Sequence, residues 1–288
     1  MNCLTPDTTV GIILVYLPQQ LDGKKIISPG LAMSIDYACQ GAVGYITLNS
    51  PPGNNYDLSG MKELDQAIQT AASDTASRVI ILRSGIRALF CLGADVRYLT
   101  ETPEENNLLL AQCAHATLSR IAEIPKPFIA LLEGHTLGGG LEIALACDFR
   151  FAAIGNYFIG LPEAGLGIMP GNGGTQRLAR LVGPTKAMEL LFDARRLKPS
   201  EAHELGIVDR LFPLPDAARS THEYAEQLAQ GASAAIGAIK LAVWQGIEHP
   251  LKQALDIEMR HAVPLLTHPQ FLEGVQAFKE KRPPRFHL

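Results

Sequence analysis

The sequence predicts an α/β fold in which short buried strands alternate with helices, followed by a region where helices dominate. Apolar runs bounded by turn residues have the composition of buried strands at residues 42–48, 78–82 and 128–132. Between these runs, apolar side chains recur at the spacing of one helix face over residues 58–72 and 104–122. Beyond about Thr175 almost every segment has helical spacing, so the alternation stops there.

The remaining elements follow in chain order from the same signals. Three glycines from Gly138 open an apolar helix that runs to about Cys147, and strands are expected at residues 149–153 and 157–159. Ser200, directly after Pro199, is expected to be the N-cap of a short helix. Helices are expected at residues 175–181, 185–192, 200–205, 217–230, 234–246 and 251–261.

The length of 288 residues, 47% of them apolar, allows one large domain with or without an appendage. We expect residues 1–32 to be an N-terminal extension, either disordered or upstream of the true start, with Met33 as an alternative start. Residues 33–225 are expected to form the core that holds the site, and residues 226–288 a helical C-terminal region. The apolar run at residues 11–17 is too short to span a bilayer, and no basic residue precedes it, so neither a membrane anchor nor a signal peptide is expected.

Composition excludes several classes of function. The net charge of −4 provides no basic field for nucleic acid, so no nucleic-acid partner is expected. The five cysteines are odd in number and have no C-x-x-C spacing, which argues against a disulfide framework or a structural zinc site and indicates a reduced, cytoplasmic protein without a metal. The nucleotide-binding patterns G-x-G-x-x-G and G-x-x-x-x-G-K-[ST] are absent, as is the G-x-S-x-G of serine hydrolases.

Two glycine-rich turns are candidates for binding a developing negative charge. Residues 90–95 (FCLGAD) contain a Gly-Ala step after a strand, and residues 138–140 are three glycines at the start of a helix. Both turns expose backbone N–H groups, and the helix dipole adds positive potential at the second. Brought together, they would form an oxyanion hole. Each turn alone is equally consistent with tight packing of a strand against a helix.

Two carboxylates lie in apolar surroundings. Glu142 is in the first turn of the glycine-started helix between Leu141 and Ile143, and Glu163 lies among apolar, proline and glycine residues. Burial would raise the pKa of such a carboxyl group and suit it to proton transfer. The alternatives are a helix-dipole partner or ion pair for Glu142, and a cap or turn residue for Glu163. His135, nearby, is expected to be a hydrogen-bonded residue at a strand end.

These segments together resemble the crotonase, or enoyl-CoA hydratase/isomerase, superfamily from about Ser34 to the C-terminus. The resemblance rests on residues 90–95 (FCLGAD), 137–142 (LGGGLE), 147–148 (CD), 161–163 (LPE), 168–178 (IMPGNGGTQRL), 202–209 (AHELGIVD) and 278–284 (FKEKRPP). It implies a spiral of repeated ββα units, with a helical C-terminal region that assembles homotrimers or hexamers. It also implies an acyl-CoA substrate and no separate cofactor, because coenzyme A is part of the substrate.

The resemblance also implies a role for particular residues. Glu142 and Glu163 match the two positions that perform acid–base chemistry in hydratases, and Ala94 and Gly139 would supply the oxyanion-hole N–H groups. The residues implied to bind the CoA or acyl part of the substrate are Leu92, Asp95, Val96, Arg97, Gly138, Phe278 and Lys281. The resemblance implies that Phe278 and Lys281, near the C-terminus, approach CoA, either in the same subunit or in a neighbouring one of an oligomer.

The reaction that these residues favour is hydration of a 2-enoyl-CoA, with Glu142 deprotonating water and Glu163 delivering a proton to C2. An isomerase often needs only one carboxylate, so the presence of both favours a hydratase. The alternatives are an isomerase, or another crotonase-type reaction whose substrate is an acyl-CoA or an acyl group on a carrier protein. A non-catalytic acyl-CoA-binding or RNA-binding scaffold is a weaker alternative. Two positions depart from the common pattern of the superfamily: Leu92 stands where a small residue is usual, and residues 52–57 stand where an Asn-Ala-Leu element is usual. The resemblance therefore does not predict which acyl chain the site accepts.

Overall fold

The computed structural model describes residues 34–286, so the expected N-terminal extension at residues 1–32 lies outside the described residues. The described part is built on two sheets. The larger sheet has six strands in the order β1-β2-β3-β5-β7-β10. Its strands are β1 (Ile35–Gln40), β2 (Val43–Leu48), β3 (Val79–Ser84), β5 (Phe128–Leu132), β7 (Phe149–Ile154) and β10 (Arg210–Pro213). Only the β1–β2 pair in this sheet is antiparallel.

The smaller sheet contains very short strands in the order β4-β6-β8-β9. Its strands are β4 (Leu89–Cys91), β6 (His135–Leu137), β8 (Ile159–Gly160) and β9 (Arg196–Leu197). The first three are parallel, and β9 is antiparallel to β8. The three parallel strands therefore end at one edge of this sheet.

The chain visits the two sheets alternately, which confirms the predicted spiral of ββα units. The strand pairs β3–β4, β5–β6 and β7–β8 each place their first strand in the large sheet and their second in the small sheet. An earlier turn has the same form, because β2 leads to a single parallel bridge between Tyr56 and Ala94. Each turn stacks on the preceding one and buries a continuous core between sheets and helices.

Eleven α-helices and two 3₁₀ turns surround the sheets within residues 34–286. They are α1 (Leu58–Ser73), α2 (Val96–Glu101), α3 (Glu104–Glu123), α4 (Gly139–Ala146), α5 (Gly174–Val182), α6 (Pro184–Phe192), α7 (Pro199–Glu204), α8 (Leu214–Gln230), α9 (Ser233–Gly246), α10 (Leu251–Ala262) and α11 (Pro269–Glu280), with 3₁₀ turns at Glu163–Leu166 and Val263–Thr267. Helix α1 shows why the sequence folds this way. Asp57 caps it by accepting a hydrogen bond from the Gly60 N–H at 2.9 Å, and its apolar face at Met61, Leu64 and Ile68 is buried.

Helices dominate from Gly174 onward, as predicted beyond about Thr175, with only the short strands β9 and β10 between them. The last helices leave large apolar side chains exposed. Exposed examples on α9 to α11 are Ile239, Val243, Leu251, Met259 and Leu272. The division into a core at residues 33–225 and a helical region at 226–288 stays a prediction, as does the homotrimer or hexamer. Within residues 34–286, none of the helices combines the length and the apolar composition that a membrane span requires.

Some elements differ from the sequence expectations. Strand β1 was not predicted, because its side chains are largely exposed and include Asp36 and Gln40. The strand expected at residues 157–159 is only Ile159–Gly160. The expected N-cap Ser200 is wrong: Lys198 is the N-cap, and Pro199 occupies the first turn, where its missing N–H costs no hydrogen bond.

Candidate active site

The candidate residues meet at the edge where the parallel strands of the small sheet end. Ala94 follows β4, Gly139 follows β6 and Glu163 follows β8. The structure therefore brings together three segments that are separated in the sequence. Glu142 joins them because it lies in the first turn of α4, which starts at Gly139.

The N–H group of Ala94 is free because the parallel bridge between Tyr56 and Ala94 does not use it. Tyr56 donates its N–H to the Gly93 carbonyl at 3.1 Å and accepts from the Asp95 N–H at 2.8 Å. These two bonds use the groups on either side of Ala94. Within the described residues, no acceptor contacts the Ala94 N–H.

The N–H of Gly139 is free for a different reason. Gly139 is the first residue of α4, and the first N–H groups of a helix have no partner inside it. In the part of the chain that is described, no acceptor outside the helix contacts this N–H. A Cβ atom placed on Gly93 would lie 2.8 Å from the Gly139 nitrogen, so the two backbone segments almost touch. The two N–H groups expected to form an oxyanion hole are therefore neighbours.

Glu142 is almost completely buried and is held by the turn that precedes α5. Its side chain is 1% exposed, and its Oε1 accepts hydrogen bonds from the backbone N–H groups of Asn172 and Gly174, each at 2.7 Å. Burial raises the pKa of Glu142, while these two N–H groups and the nearby Arg177 and His115 oppose the rise. Because the donors bind the charged form, the site favours a carboxylate at Glu142 more than burial alone would.

Glu163 is in an environment that favours the protonated form. It begins a 3₁₀ turn, is 9% exposed, and its Oε2 is buried without a hydrogen-bond partner among the described residues. Burial, with an additional contribution from the charge of Glu142, raises the pKa of Glu163 to about 7. A Cβ atom on Gly138 would lie 3.1 Å from its Oε1, so the carboxyl group lies against the glycine step that opens α4.

The site therefore combines three chemical capacities. Two adjacent free N–H groups can bind an oxygen that gains negative charge. Glu142 can accept a proton as a carboxylate, and Glu163 can donate one as an acid near neutral pH. No group of three or more His, Cys, Asp or Glu residues in the described range could hold a metal ion.

Replacement of Glu163 by Gln is expected to stabilise the protein at alkaline pH. The folded-state pKa of about 7 exceeds the ordinary 4.5, so above pH 7 folding must bury an ionised carboxylate, whereas below pH 4.5 both states are protonated. Glu163→Gln should raise the free energy of unfolding by about 3 kcal/mol near pH 8 and hardly at all near pH 4.

Denaturant unfolding at the two pH values, at one protein concentration, measures this difference. Glu204 on α7 is exposed, and Glu204→Gln is the matched control, for which no pH-dependent gain is expected. An equal effect of Glu163→Gln at both pH values would contradict the raised pKa of the buried carboxyl group.

The other predicted site residues fall into two groups. Asp95 caps α2 by accepting from the Arg97 N–H at 2.9 Å and pairs with the Arg97 guanidinium at 3.2 Å. Val96 and Arg97 are exposed beside the Ala94 turn, and Leu92 is half-buried two residues before Ala94. These residues, with Gly138, lie next to the oxyanion-hole segments and can line an entrance to them.

Phe278 and Lys281 lie elsewhere in the described chain. Phe278 is 85% exposed near the end of α11 and lines an apolar cavity together with Phe271 and Phe286. Lys281 ends that helix in a left-handed conformation. Neither has a described hydrogen bond to the site segments, so their predicted approach to CoA stays a prediction.

Three residues that sequence reasoning did not assign to the site contact its essential parts. Asn172 donates to both Glu142 and Tyr56, and Arg177 donates to the Asn172 carbonyl at 2.9 Å. The sequence feature that could have pointed to Asn172 is the Gly-Asn-Gly-Gly turn at residues 171–174, which resembles a phosphate-binding loop only superficially. Its N–H groups bind a carboxylate of the same chain instead. His135, as expected, is a strand residue with a hydrogen bond, accepting from the Phe158 N–H at 3.3 Å.

Comparison with known proteins gives consistent matches over nearly all of the described chain. A family model described as enoyl-CoA hydratase/isomerase matches residues 38–287. Methylglutaconyl-CoA hydratase from Rattus norvegicus is 38% identical over 237 residues, covering 81% of this chain and 75% of that protein. The enoyl-CoA isomerase/hydratase fer4 of Mycosarcoma maydis is 38% identical over 218 residues, covering 76% of this chain and 79% of that protein.

The fold has close counterparts among solved structures. An enoyl-CoA hydratase from Geobacillus kaustophilus superimposes with a TM-score of 0.86 at 39% identity, covering 88% of this chain and 96% of that one. The range matched by the family model, residues 38–287, contains all the segments that carry the candidate site.

Proposed function

The chain is a member of the enoyl-CoA hydratase/isomerase family, the crotonase superfamily, and we propose that it is a hydratase that adds water to a 2-enoyl-CoA to give a 3-hydroxyacyl-CoA. The observation that carries the proposal is the pair of buried carboxyl groups with different hydrogen bonding. Glu142 receives two N–H donors, whereas an oxygen of Glu163 receives none among the described residues. Addition of water needs one base and one acid at the same time, which this pair supplies.

The thioester oxygen of the substrate would lie between the N–H groups of Ala94 and Gly139. When water attacks C3, electrons move through C2 and the carbonyl carbon onto this oxygen. The donors therefore bind the enolate-like transition state more strongly than the substrate. One such donor is typically worth about 3 kcal/mol of transition-state stabilisation.

The two glutamates would complete the addition. Glu142, as a carboxylate, takes a proton from water while the water oxygen bonds to C3. Glu163, as an acid, gives its proton to C2 as the enolate collapses to the thioester. Exchange with solvent then returns each carboxyl group to its starting protonation state. Coenzyme A enters as part of the substrate, so the proposed chemistry uses no separate cofactor.

Isomerisation is the second candidate, since a relative carries both activities in its name. A single carboxyl group could move a proton between C2 and C4 of a 3-enoyl-CoA. The test supplies crotonyl-CoA, longer 2-enoyl-CoAs and a 3-enoyl-CoA to the full-length protein and identifies the products. We expect 3-hydroxyacyl-CoA from the 2-enoyl substrates. Conversion of only the 3-enoyl-CoA, without hydration of any 2-enoyl-CoA, would establish the isomerase instead.

The proposed roles predict the pH dependence of hydration. Glu163 must hold its proton, and its pKa is raised to about 7, so kcat/KM should fall as pH rises above about 7. On the acid side, kcat/KM should fall where Glu142 becomes protonated. Initial rates measured across the pH range in buffers of constant ionic strength check both limbs. A rate that rises through neutral pH would contradict the assignment of Glu163 as the acid.

A further inference from the structure

Tyr56 contacts both oxyanion-hole segments and the turn that holds Glu142. Its backbone forms the parallel bridge with Ala94, and its ring is 1% exposed. Its hydroxyl oxygen accepts a hydrogen bond from Asn172 Nδ2 at 2.7 Å. A Cβ atom on Gly139 would overlap the same hydroxyl group, so Tyr56 also packs directly against the start of α4.

Asn172 connects the Tyr56 hydroxyl to Glu142. Its backbone N–H donates to Glu142 Oε1 at 2.7 Å, its side-chain amide donates to Tyr56, and its carbonyl accepts from Arg177 Nη1 at 2.9 Å. Among the described contacts, the Tyr56 hydroxyl is the side-chain hydrogen-bond partner of this amide. The hydroxyl therefore holds the side chain of the residue whose backbone N–H binds Glu142.

We propose that Tyr56 is a positioning residue which, through Asn172, holds the carboxylate of Glu142 in a fixed place relative to Gly139 and Ala94. The base and the two oxyanion-hole donors must keep a constant separation for water to reach C3 of a bound thioester. Tyr56 bridges to Ala94 through its backbone and packs against Gly139 with its hydroxyl group. It reaches Glu142 only through Asn172, so one buried residue can set that separation. The importance of this arrangement for catalysis rests on the proposed hydratase function, whereas the effect on Glu142 does not.

Removal of the Tyr56 hydroxyl should weaken one N–H bond to Glu142 and change no charge. Burial raises the pKa of Tyr56 well above its usual value, so its hydroxyl is neutral at every pH of interest. The titratable and charged groups that face Glu142 are His115 on α3, Arg177 on α5, Glu163 in the 3₁₀ turn and Tyr56 itself. The substitution Tyr56→Phe retains the first three, so a change at Glu142 reports the lost hydrogen bond.

The experiment is a double-mutant cycle of Tyr56→Phe and Asn172→Ala in the full chain. Infrared titration follows the carboxylic-acid band of Glu142, which is assigned by its absence in Glu142→Gln. We expect each single variant to shift this titration upward by up to about one pH unit, since the backbone N–H of residue 172 is retained but its hydrogen bond to the charged carboxylate is weakened. The double variant should shift it no further, because both changes remove the same contact. Should Tyr56→Phe fold poorly, Asn172→Ala alone tests the contact.

Kinetics provide a second readout. The acid limb of kcat for hydration should move upward with the infrared titration in Tyr56→Phe, while KM stays within about twofold because the Tyr56 backbone bridge to Ala94 is unchanged. Tyr37→Phe is the matched control, because it removes a hydroxyl bonded to Asp74 at 2.6 Å, outside the site segments.

Each outcome supports or overturns a distinct claim. An unchanged Glu142 titration in Tyr56→Phe, or additive shifts in the double variant, would overturn the positioning role even if the wild type hydrates enoyl-CoA. A coupled infrared shift in a protein that hydrates no enoyl-CoA would support the contact and overturn the proposed function.

Discussion

Replacement of Glu142 by Gln is expected to lower kcat for hydration of a 2-enoyl-CoA by about a thousandfold, as is replacement of Glu163 by Gln. Gln keeps the shape of each side chain but can neither take a proton from water nor give one to C2. Binding of the substrate does not need either proton, so KM should change little compared with kcat. Steady-state rates of each variant with crotonyl-CoA measure the loss.

The decreases in kcat caused by the two substitutions should not multiply, because both carboxyl groups act in the same reaction. The double variant Glu142→Gln/Glu163→Gln is expected to be about as slow as the slower single variant. Exposed Glu204 on α7 again supplies the control, and Glu204→Gln should retain wild-type rates. Hydration at the wild-type rate in both single variants would contradict the proposed mechanism. Isomerisation of a 3-enoyl-CoA that requires Glu163 but not Glu142 would favour the second candidate.

Replacement of Gly93 by Ala is the second change with a large expected effect. The new Cβ would lie 2.8 Å from the Gly139 nitrogen, so the two N–H donors would be forced apart. Loss of one donor of an oxyanion hole lowers the rate by about a hundredfold or more, and we expect a decrease of that size in kcat/KM. The φ of +96° at Gly93 adds backbone strain, which should lower the free energy of unfolding by about 1–2 kcal/mol.

A control substitution at a second glycine separates the displacement of the N–H donors from the backbone strain. Gly206 has a similar backbone conformation, with φ of +77°, but a Cβ added there meets nothing within 4 Å. Gly206→Ala should therefore lose stability without losing activity. A red shift in the absorption of a bound conjugated enoyl thioester reports polarisation by the N–H groups, and this shift should decrease in Gly93→Ala alone. Equal losses of activity in the two variants would show that strain, rather than the N–H groups, accounts for the loss.

The sequence was sufficient to predict the fold class and the place of the two glutamates. Strand β5 has the predicted bounds Phe128–Leu132, because a buried parallel strand is a continuous apolar run. Glu142 could be placed in a first helical turn because glycines start that helix. Its burial followed from its apolar neighbours in the chain.

Other features depend on contacts between distant segments, which a sequence pattern does not contain. Strands β4, β6 and β8 have only two or three residues, too few for a periodic pattern. Tyr56 and Asn172 are 116 positions apart, and nothing in the sequence indicates that their side chains meet. The difference between Glu142 and Glu163 also comes from folding, since it depends on the N–H donors of residues 172–174, which reach one carboxyl group and not the other.

The central claim is that this site adds water across a double bond, and isotopic labelling tests it most directly. The full-length protein is incubated with crotonyl-CoA in water enriched in ¹⁸O, and the product is examined by mass spectrometry. Hydration predicts a 3-hydroxyacyl-CoA with one ¹⁸O atom at C3, formed by the wild type and lost in Glu142→Gln. Recovery of crotonyl-CoA or of an isomer with its double bond moved, with no ¹⁸O-labelled 3-hydroxyacyl-CoA formed, would contradict the claim.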